Sequence, residues 1–332
     1  METNHKTVVG IDVAKDTLSI SIFDGGKHEY LLLDYNEKTI KKELIQRFKN
    51  FQGFVVFVME ATGIYHTRLA YWLHSSGLSV AIINPLIRYA QMRMSRVKTD
   101  KFDCTIIAEY GYKEELVLFK PKSQETLQLG LLLKTIEDFL AQKSILVSQR
   151  HALKHQAHCP KDILAFYDKS IECISKEIVA LKKKMKLLLQ EEFKSQYELL
   201  YSIKGIGIMS SAMIISLFDS FEHFENAKQA SSFIGITPVP YESGTSVKRK
   251  GSISKQGNTL ARKLLYRTSL SGVQSNALFK PPYERLLEKG KSKKQALIAV
   301  AHKLLRIAFG VLKNNRPFCV DYCGDKKIAK VY

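Results

Sequence analysis

Four acids in this chain have types and spacings that can do chemistry together. Asp12 closes the run VVGID, Glu60 closes FVVFVME, and Asp100 and Asp103 stand three apart in KTDKFD. Carboxylates three apart on a helix share one face. Acids that end two buried strands lie at the carboxyl edge of a sheet, where the sites of α/β folds form. Four converging carboxylates repel one another unless cations sit between them, and hard oxygen donors favour Mg²⁺, with Mn²⁺ as a possible substitute. Two such ions about 4 Å apart organise phosphoryl transfer. Taken singly, each acid also fits a cap or a turn, and Asp16 reads as the start of a turn; it is the set that points to catalysis. Arg88, Arg93, Arg96, Lys98 and Lys101 crowd the approach to Asp100. They suit a phosphate backbone passing the acids, although a solvated helix carries such charges too.

A second group surrounds Ser243 in FIGITPVPYESGTSVKRKGSISKQGNTL. Gly244 lets a backbone approach closely, and Lys248, Arg249, Lys250, Lys255 and Arg262 follow within twenty residues. A serine beside phosphate-neutralising cations can act as a nucleophile toward a phosphodiester. Serines in glycine-rich loops are mostly turn formers, and Ser246, Ser252 and Ser254 stand close by, so spacing alone leaves both readings open. Upstream, LLYSIKGIGIMSSAMIISL reads as helix, Gly-x-Gly turn and apolar helix. It resembles a helix-hairpin-helix, in which Lys204 and the amides of Gly205 and Gly207 would meet a phosphate. An ordinary packing corner needs the same glycines.

The elements that must position these groups follow from periodicity. Thr7–Val13, Thr17–Phe23 and His28–Leu33 read as strands, with Gly25 and Gly26 marking a hairpin turn. Residues 36–50 read as helix, and Phe54–Met59 is an unbroken apolar run, as in a strand buried on both faces. Helix from His66 to Ser75, strand Ser79–Ile83 and a helix through Asp100 to Tyr112 complete an α/β, RNase H-like order. That order sets the first and fourth strands side by side at the sheet centre. Residues 124–193 read as two long helices joined near His158, Cys159 and Pro160. Ile171, Ile174, Ile178, Leu181, Met185 and Leu188 recur at 3-4-3-4-3 spacing, the seam of a coiled coil or of an intramolecular hairpin. The expected division is 1–122, a carboxylate domain; 123–196, a helical coiled-coil segment for association; and 197–332, a mainly α domain bearing Ser243.

The bulk numbers choose the partner. The 332 residues carry 51 Lys and Arg against 32 Asp and Glu, a formal net charge of +19. Between Tyr241 and Arg316 alone, 17 basic residues stand against 3 acidic ones, a net of +14. Such a field attracts polyanions and makes binding salt-sensitive. The longest apolar stretch, Ala296 to Leu312, is cut by His302, Lys303 and Arg306 and reads as an amphipathic helix. The polar start runs straight into a strand, which leaves no room for a secretory leader, so a cytoplasmic, membrane-free protein is expected. Five cysteines without a C-x-x-C pair read as reduced thiols; a zinc site from His158, Cys159, Cys319 and Cys323 is the lesser reading.

VVGIDVAKDTL, MEATGIYH, VKTDKFD, LYSIKGIG, FIGITPVPYESGTS and GSISKQGNTLARKLLY occur in this order over nearly the whole chain. Together they closely resemble the IS-one-ten (IS110) family of insertion-sequence transposases, called DEDD transposases after a RuvC-like site. The resemblance implies that Asp12, Glu60, Asp100 and Asp103 hold Mg²⁺ and that Ser243 attacks DNA to form a phosphoserine intermediate. It implies a tetramer in which the RuvC-like domain of one subunit meets the serine domain of another. It also implies a structured noncoding bridge RNA that pairs with donor and target DNA. Cys104 stands where an alanine commonly follows the last acid. The nearest alternative is a RuvC-like junction-resolving endonuclease in which water attacks and Ser243 is structural. A catalytically silent nucleic-acid-binding protein and an actin-like kinase are weaker alternatives; the intact acid set opposes the first, and missing phosphate-loop glycines the second.

Overall fold

The structure is a computed structural model. It describes residues 6–319 except 50, 52, 62, 85–99, 219, 220, 222, 223, 244–246, 255 and 276, and describes only the backbone at 100, 239–243 and 247–252. The chain divides into two compact units, Met1–Pro121 and Lys122–Tyr332.

In the first unit a five-stranded mixed sheet is built from β1 (Lys6–Val13), β2 (Thr17–Phe23), β3 (His28–Asp34), β4 (Phe54–Glu60) and β5 (Ser79–Ile83). The order is β3-β2-β1-β4-β5. β1, β2 and β3 form an antiparallel meander, while β4 pairs parallel to β1 and β5 parallel to β4. The first and fourth strands are therefore central neighbours, as the order of elements read from the sequence predicts. Between β3 and β4 the helical stretch is α1 (Glu37–Ile40), a π turn (Lys41–Ile45) and α2 (Gln46–Lys49), opened by Asn36, whose side chain accepts from Thr39 N. α3 (Tyr65–Ser75) links β4 to β5, and α4 (Asp100–Lys113) follows. Strand alternation splits the apolar residues into two layers. Val9, Ile11, Phe57 and Met59 face Ile40, Leu44, Leu69 and Leu73; Val8, Val56, Val58 and Ala81 face Ile106, Ile107 and Ala108 of α4.

The second unit is mostly helical. α5 (Gln124–Lys154) and α6 (Lys161–Glu191) are 31 residues each and pack as a hairpin that turns at 155–160. Ile178 and Met185 of the heptad seam are buried, and Ile174, Leu181 and Leu188 pack half-buried on the same core. The root of the seam is thus used within the chain. α7 (Lys194–Tyr201), α8 (Ile208–Phe218), α9 (Ala227–Ile234), α10 (Thr259–Ser275), α11 (Lys280–Glu288) and α12 (Lys293–Lys313) complete the helices. Lys122 closes the end of α8 by donating to the carbonyls of Ser216 and Leu217 at 2.7 and 3.2 Å. α12 is long and apolar enough to cross a bilayer by length and composition. Its apolar side, including Leu297, Val300, Leu304, Leu305 and Ala308, instead lies in the protein core. The proline-broken segment after α9 departs from the helical pattern more than the sequence suggests. It is a two-stranded antiparallel ribbon, β6 (Pro238–Ser243) and β7 (Val247–Ile253).

Candidate active site

Two arrangements emerge, one in each unit. In the first, the last paired residues of β1 and β4 are Ile11 and Met59, so Asp12 and Glu60 are the next residues on adjacent parallel strands. Alternation places them on the face that carries Val8, Gly10, Val56 and Val58, the face covered by α4. That helix runs opposite to β1. Gly111 packs against Val8 and Val58, and Ala108 and Cys104, one and two turns earlier, pack on Gly10. Continuing the same way brings the turn of Asp100 and Asp103 over the carboxyl ends of β1 and β4.

The approach is close because Gly10 has no side chain. A Cβ there would lie 2.5 Å from the Cys104 carbonyl oxygen and 2.8 Å from Ala108 Cα, backbone atoms in both cases. The stripe Cys104, Ala108 and Gly111 on α4 offers the complementary small surface, a signal that the sequence carries and that motif reading passes over. Asp103 is buried at 6% exposure, while Asp12 and Glu60 are half-buried. Burial pushes the Cys104 thiol up to about 12, and the Asp12 charge adds to the rise. Asp16 is exposed in the turn that Ala14 N closes on Thr17 O, and its carbonyl accepts from Tyr35 N to extend the β2–β3 ladder. Lys101 turns toward β3, its ammonium 5.2 Å from the centroid of the Tyr30 ring.

The donor set, carboxylate oxygens on one face, fits a hard divalent cation. Among the described residues, no three Asp, Glu, His or Cys side chains are gathered closely enough to hold one together. The Asp100 side chain and all of Arg88, Arg93, Arg96 and Lys98 lie outside the described residues.

The second arrangement is the ribbon. Ser243 is the last residue of β6 and pairs with Val247, so it stands at the closed end; Lys248 is opposite Glu242 and Arg249 opposite Tyr241. Side chains at these positions, and Gly244 and Lys255 altogether, lie outside the described residues. The base of the ribbon is described in full. Gly235 ends α9 with φ of 72°, and a Cβ there would run into the carbonyl of Gln256. Gly257, with φ of 115°, packs in the same way on the Phe233 carbonyl. Two glycines thus let the chain entering the ribbon cross the chain leaving it backbone to backbone. Ser254 N donates to Thr237 O at 3.3 Å across the same crossing.

Arg262 belongs to this base. Its guanidinium donates to the Ile234 carbonyl at 2.9 Å and to Thr259 Oγ1 at 3.0 Å, tying α10 to the end of α9. In the α7–α8 corner, Gly205 has φ of 108°, and a Cβ there would stand 2.8 Å from Gly272 Cα of α10. That glycine has a packing reason of its own. Lys204 and Gly207 are exposed, with open space around Gly207.

Two family models cover both arrangements, and the relatives cover most of the chain. Residues 9–158 fit the family model of DEDD transposases of the IS110 type, described as transposase. Residues 197–284 fit the transposase IS116/IS110/IS902 family. A pilin gene-inverting protein of Moraxella lacunata is 31% identical over 320 residues, covering 94% of this chain and 98% of the relative. Its Moraxella bovis counterpart is 30% identical over the same length. The transposase for insertion sequence element IS1111A of Coxiella burnetii is 22% identical over 342 residues, covering 94% of this chain and 91% of the relative.

Proposed function

Because the chain belongs to the IS110 family of transposases, recombinases that act on DNA, we propose that it excises and inserts an insertion sequence with Ser243 as nucleophile. In this reading Asp12, Glu60, Asp100 and Asp103 form the accompanying carboxylate site. The observation that carries it is the placement of Asp12 and Glu60 side by side at the carboxyl edge, on the sheet face covered by the helix that bears buried Asp103. The strand order 3-2-1-4-5 supports a RuvC-like assignment for this unit. The four acids would hold Mg²⁺, with Mn²⁺ as a substitute. Bound there, the metal supplies neutralisation of the charge that builds on the phosphate and on the departing oxygen.

Ser243 stands at the closed end of the ribbon, and β7 returns with Lys248, Arg249 and Lys250. Its hydroxyl gives up a proton to a base and bonds to phosphorus, and a deoxyribose oxygen leaves. A hydroxyl from a second strand then reverses the step, restoring the serine and joining the new pair of ends. The same exchange excises or inverts a DNA segment according to how two sites are oriented. The inversion named for the Moraxella relatives therefore needs no additional chemistry here.

The remaining parts follow the same reading. Lys204, Gly205 and Gly207 in the α7–α8 corner, and the basic approach of Arg88, Arg93, Arg96 and Lys98, meet phosphates. A bridge RNA guides the choice of DNA, in keeping with the net charge of +19. The working parts are 1–122, 123–196 and 197–332, with the long hairpin joining subunits into a tetramer.

A denaturing gel tests the reading. Protein, Mg²⁺, the element's noncoding RNA and nicked donor and target DNAs are mixed, with Ser243→Ala and Asp12→Asn alongside. A covalent protein–DNA species in the unmodified protein, absent from Ser243→Ala, is expected, with strand exchange lost in both variants. Cleavage without an adduct, unchanged by Ser243→Ala, would make the protein a junction-resolving endonuclease in which water attacks.

A further inference from the structure

Glu137 lies on α5 among Leu132, Leu133 and Ile136, where only 4% of it is exposed. An ionised carboxylate is costly to bury unless it is paired. Its two partners stand one turn apart on α10: Arg267 at 2.8 Å from Oε1 and Lys263 at 2.8 Å from Oε2. The Arg267 contact is a hydrogen bond, whereas the Lys263 contact is an ion pair outside hydrogen-bonding angles. Both cations are half-exposed, so they can hydrate if the carboxylate is lost, while the carboxylate cannot if they are lost.

The same helix is fastened on another side. Arg262, next to Lys263, donates to the end of α9, and Asn258 Oδ1 accepts from Ala261 N at 2.9 Å. Immediately before Asn258 lies the Gly235–Gly257 crossing that forms the base of the ribbon. α10 is therefore a strut between the root of the α5–α6 hairpin and the ribbon whose closed end carries Ser243.

We infer that Glu137 is a positioning residue, which through Lys263, Arg267 and α10 fixes the serine ribbon relative to the helical arm. The inference takes the nucleophile assignment of Ser243 as given for its effect on catalysis, but not for its effect on structure. It also gives Arg262, Lys263 and Arg267 work inside the fold as anchors.

The test is Glu137→Gln, which keeps shape and removes charge, with Lys263→Gln, which leaves the Arg267 hydrogen bond to the carboxylate in place, as the second variant should the first not fold. Hydrogen exchange is read by mass spectrometry on the full chain, beside single-turnover strand cleavage. At the ribbon base and the first turn of α10, residues 253–262, exchange is expected to rise at least tenfold. Exchange in α12 should stay within twofold. Cleavage rate should fall about tenfold with the DNA concentration for half-saturation unchanged, and adding Arg267→Gln to Glu137→Gln should cost no further rate. A rise spread evenly over the second unit would overturn the inference, because Glu137 would then only stabilise the fold. So would unchanged exchange at 253–262. A localised rise together with no serine adduct in the unmodified protein would leave the strut standing and remove the nucleophile assignment alone.

Discussion

Gly10→Ala tests whether the carboxylate site depends on the contact between a helix and a strand. The added methyl would stand 2.5 Å from the Cys104 carbonyl oxygen and 2.8 Å from Ala108 Cα, where ordinary contact begins at 3.4 Å. Backbone atoms cannot escape by changing rotamer, and Ala108 N would be closer still, so α4 must lift by about 1 Å. Overpacking of this kind costs about 1–3 kcal/mol, and a rigid obstacle belongs at the upper end. The functional loss should be larger in proportion, because Asp103 rides on the displaced helix while Asp12 and Glu60 stay on the sheet. A misplacement of about 1 Å in a reacting constellation costs on the order of 100-fold in rate. Urea unfolding of the first unit, followed by circular dichroism, reads the first quantity and strand exchange the second. Gly111→Ala is the control. Its methyl would meet Val58 Cγ2 at 2.7 Å and Val8 Cγ1 at 2.9 Å, side-chain rather than backbone atoms, but on buried valines that are stiff at χ1. It should cost about 1–3 kcal/mol as well, and retain more activity than Gly10→Ala because Gly111 lies two turns from Asp103. If Gly10→Ala unfolds within 0.5 kcal/mol of the unmodified protein and exchanges strands at a normal rate, the close approach of α4 does not set the site.

Three further outcomes are expected. Replacing Lys248, Arg249 and Lys250 together by Gln should flatten the slope of log binding constant against log salt for duplex DNA by about 2–3 units, close to 0.9 per phosphate contact; an unchanged slope would show that the ribbon touches no phosphates. Gly235→Ala demands a left-handed residue with a methyl driven into Gln256, so the second unit should lose roughly 2 kcal/mol in chemical denaturation. A loss below 0.5 kcal/mol would mean that the ribbon base is not held by this crossing. Cys104, fully buried, should resist a thiol reagent at pH 8 for as long as the first unit stays folded, while exposed Cys173 and Cys319 react promptly. Equal reactivity of all three would place Cys104 outside the α4–sheet interface.

The α/β half was legible because its signals are local. Continuous apolar runs gave β1 and β4, Gly25-Gly26 gave the β2–β3 turn, and the resulting order of elements made Asp12 and Glu60 strand-end neighbours. The ribbon was not legible as strands, since Pro238 and Pro240 argue against a ladder. The fold accommodates both: Pro238 is the first residue of β6, and the register slips between Val239 and Tyr241, taking Pro240 out of the pairing. Arg262 reads from sequence as one more cation in a basic run; only its carbonyl partner on α9, twenty-eight residues upstream, reveals an anchor. Glu137 gives no local sign, because beside Asp138 it reads as one more solvated charge on a helix and becomes informative only when the helix facing it is known. The π turn at Lys41–Ile45 likewise has no marker in a stretch of good helix formers.

The long hairpin has a consequence for how the molecule opens. Each of its helices runs for about 46 Å. Phe139 and Leu140 are the last α5 residues to pack on the main core, and α6 rejoins that core at Ile174. Between those points the two helices hold mainly each other, tied by the Arg150–Asp168 ion pair and leaving Ile145, Ile163 and Phe166 exposed. Helical lengths near fourteen residues are marginal in water without burial. The distal turns should therefore open at a fraction of the free energy that opens the rest, starting at 155–160 and running down toward the core. Whatever grips the tip must first supply that ordering, so its grip will be weaker when warm and will tighten as the pair zips shut.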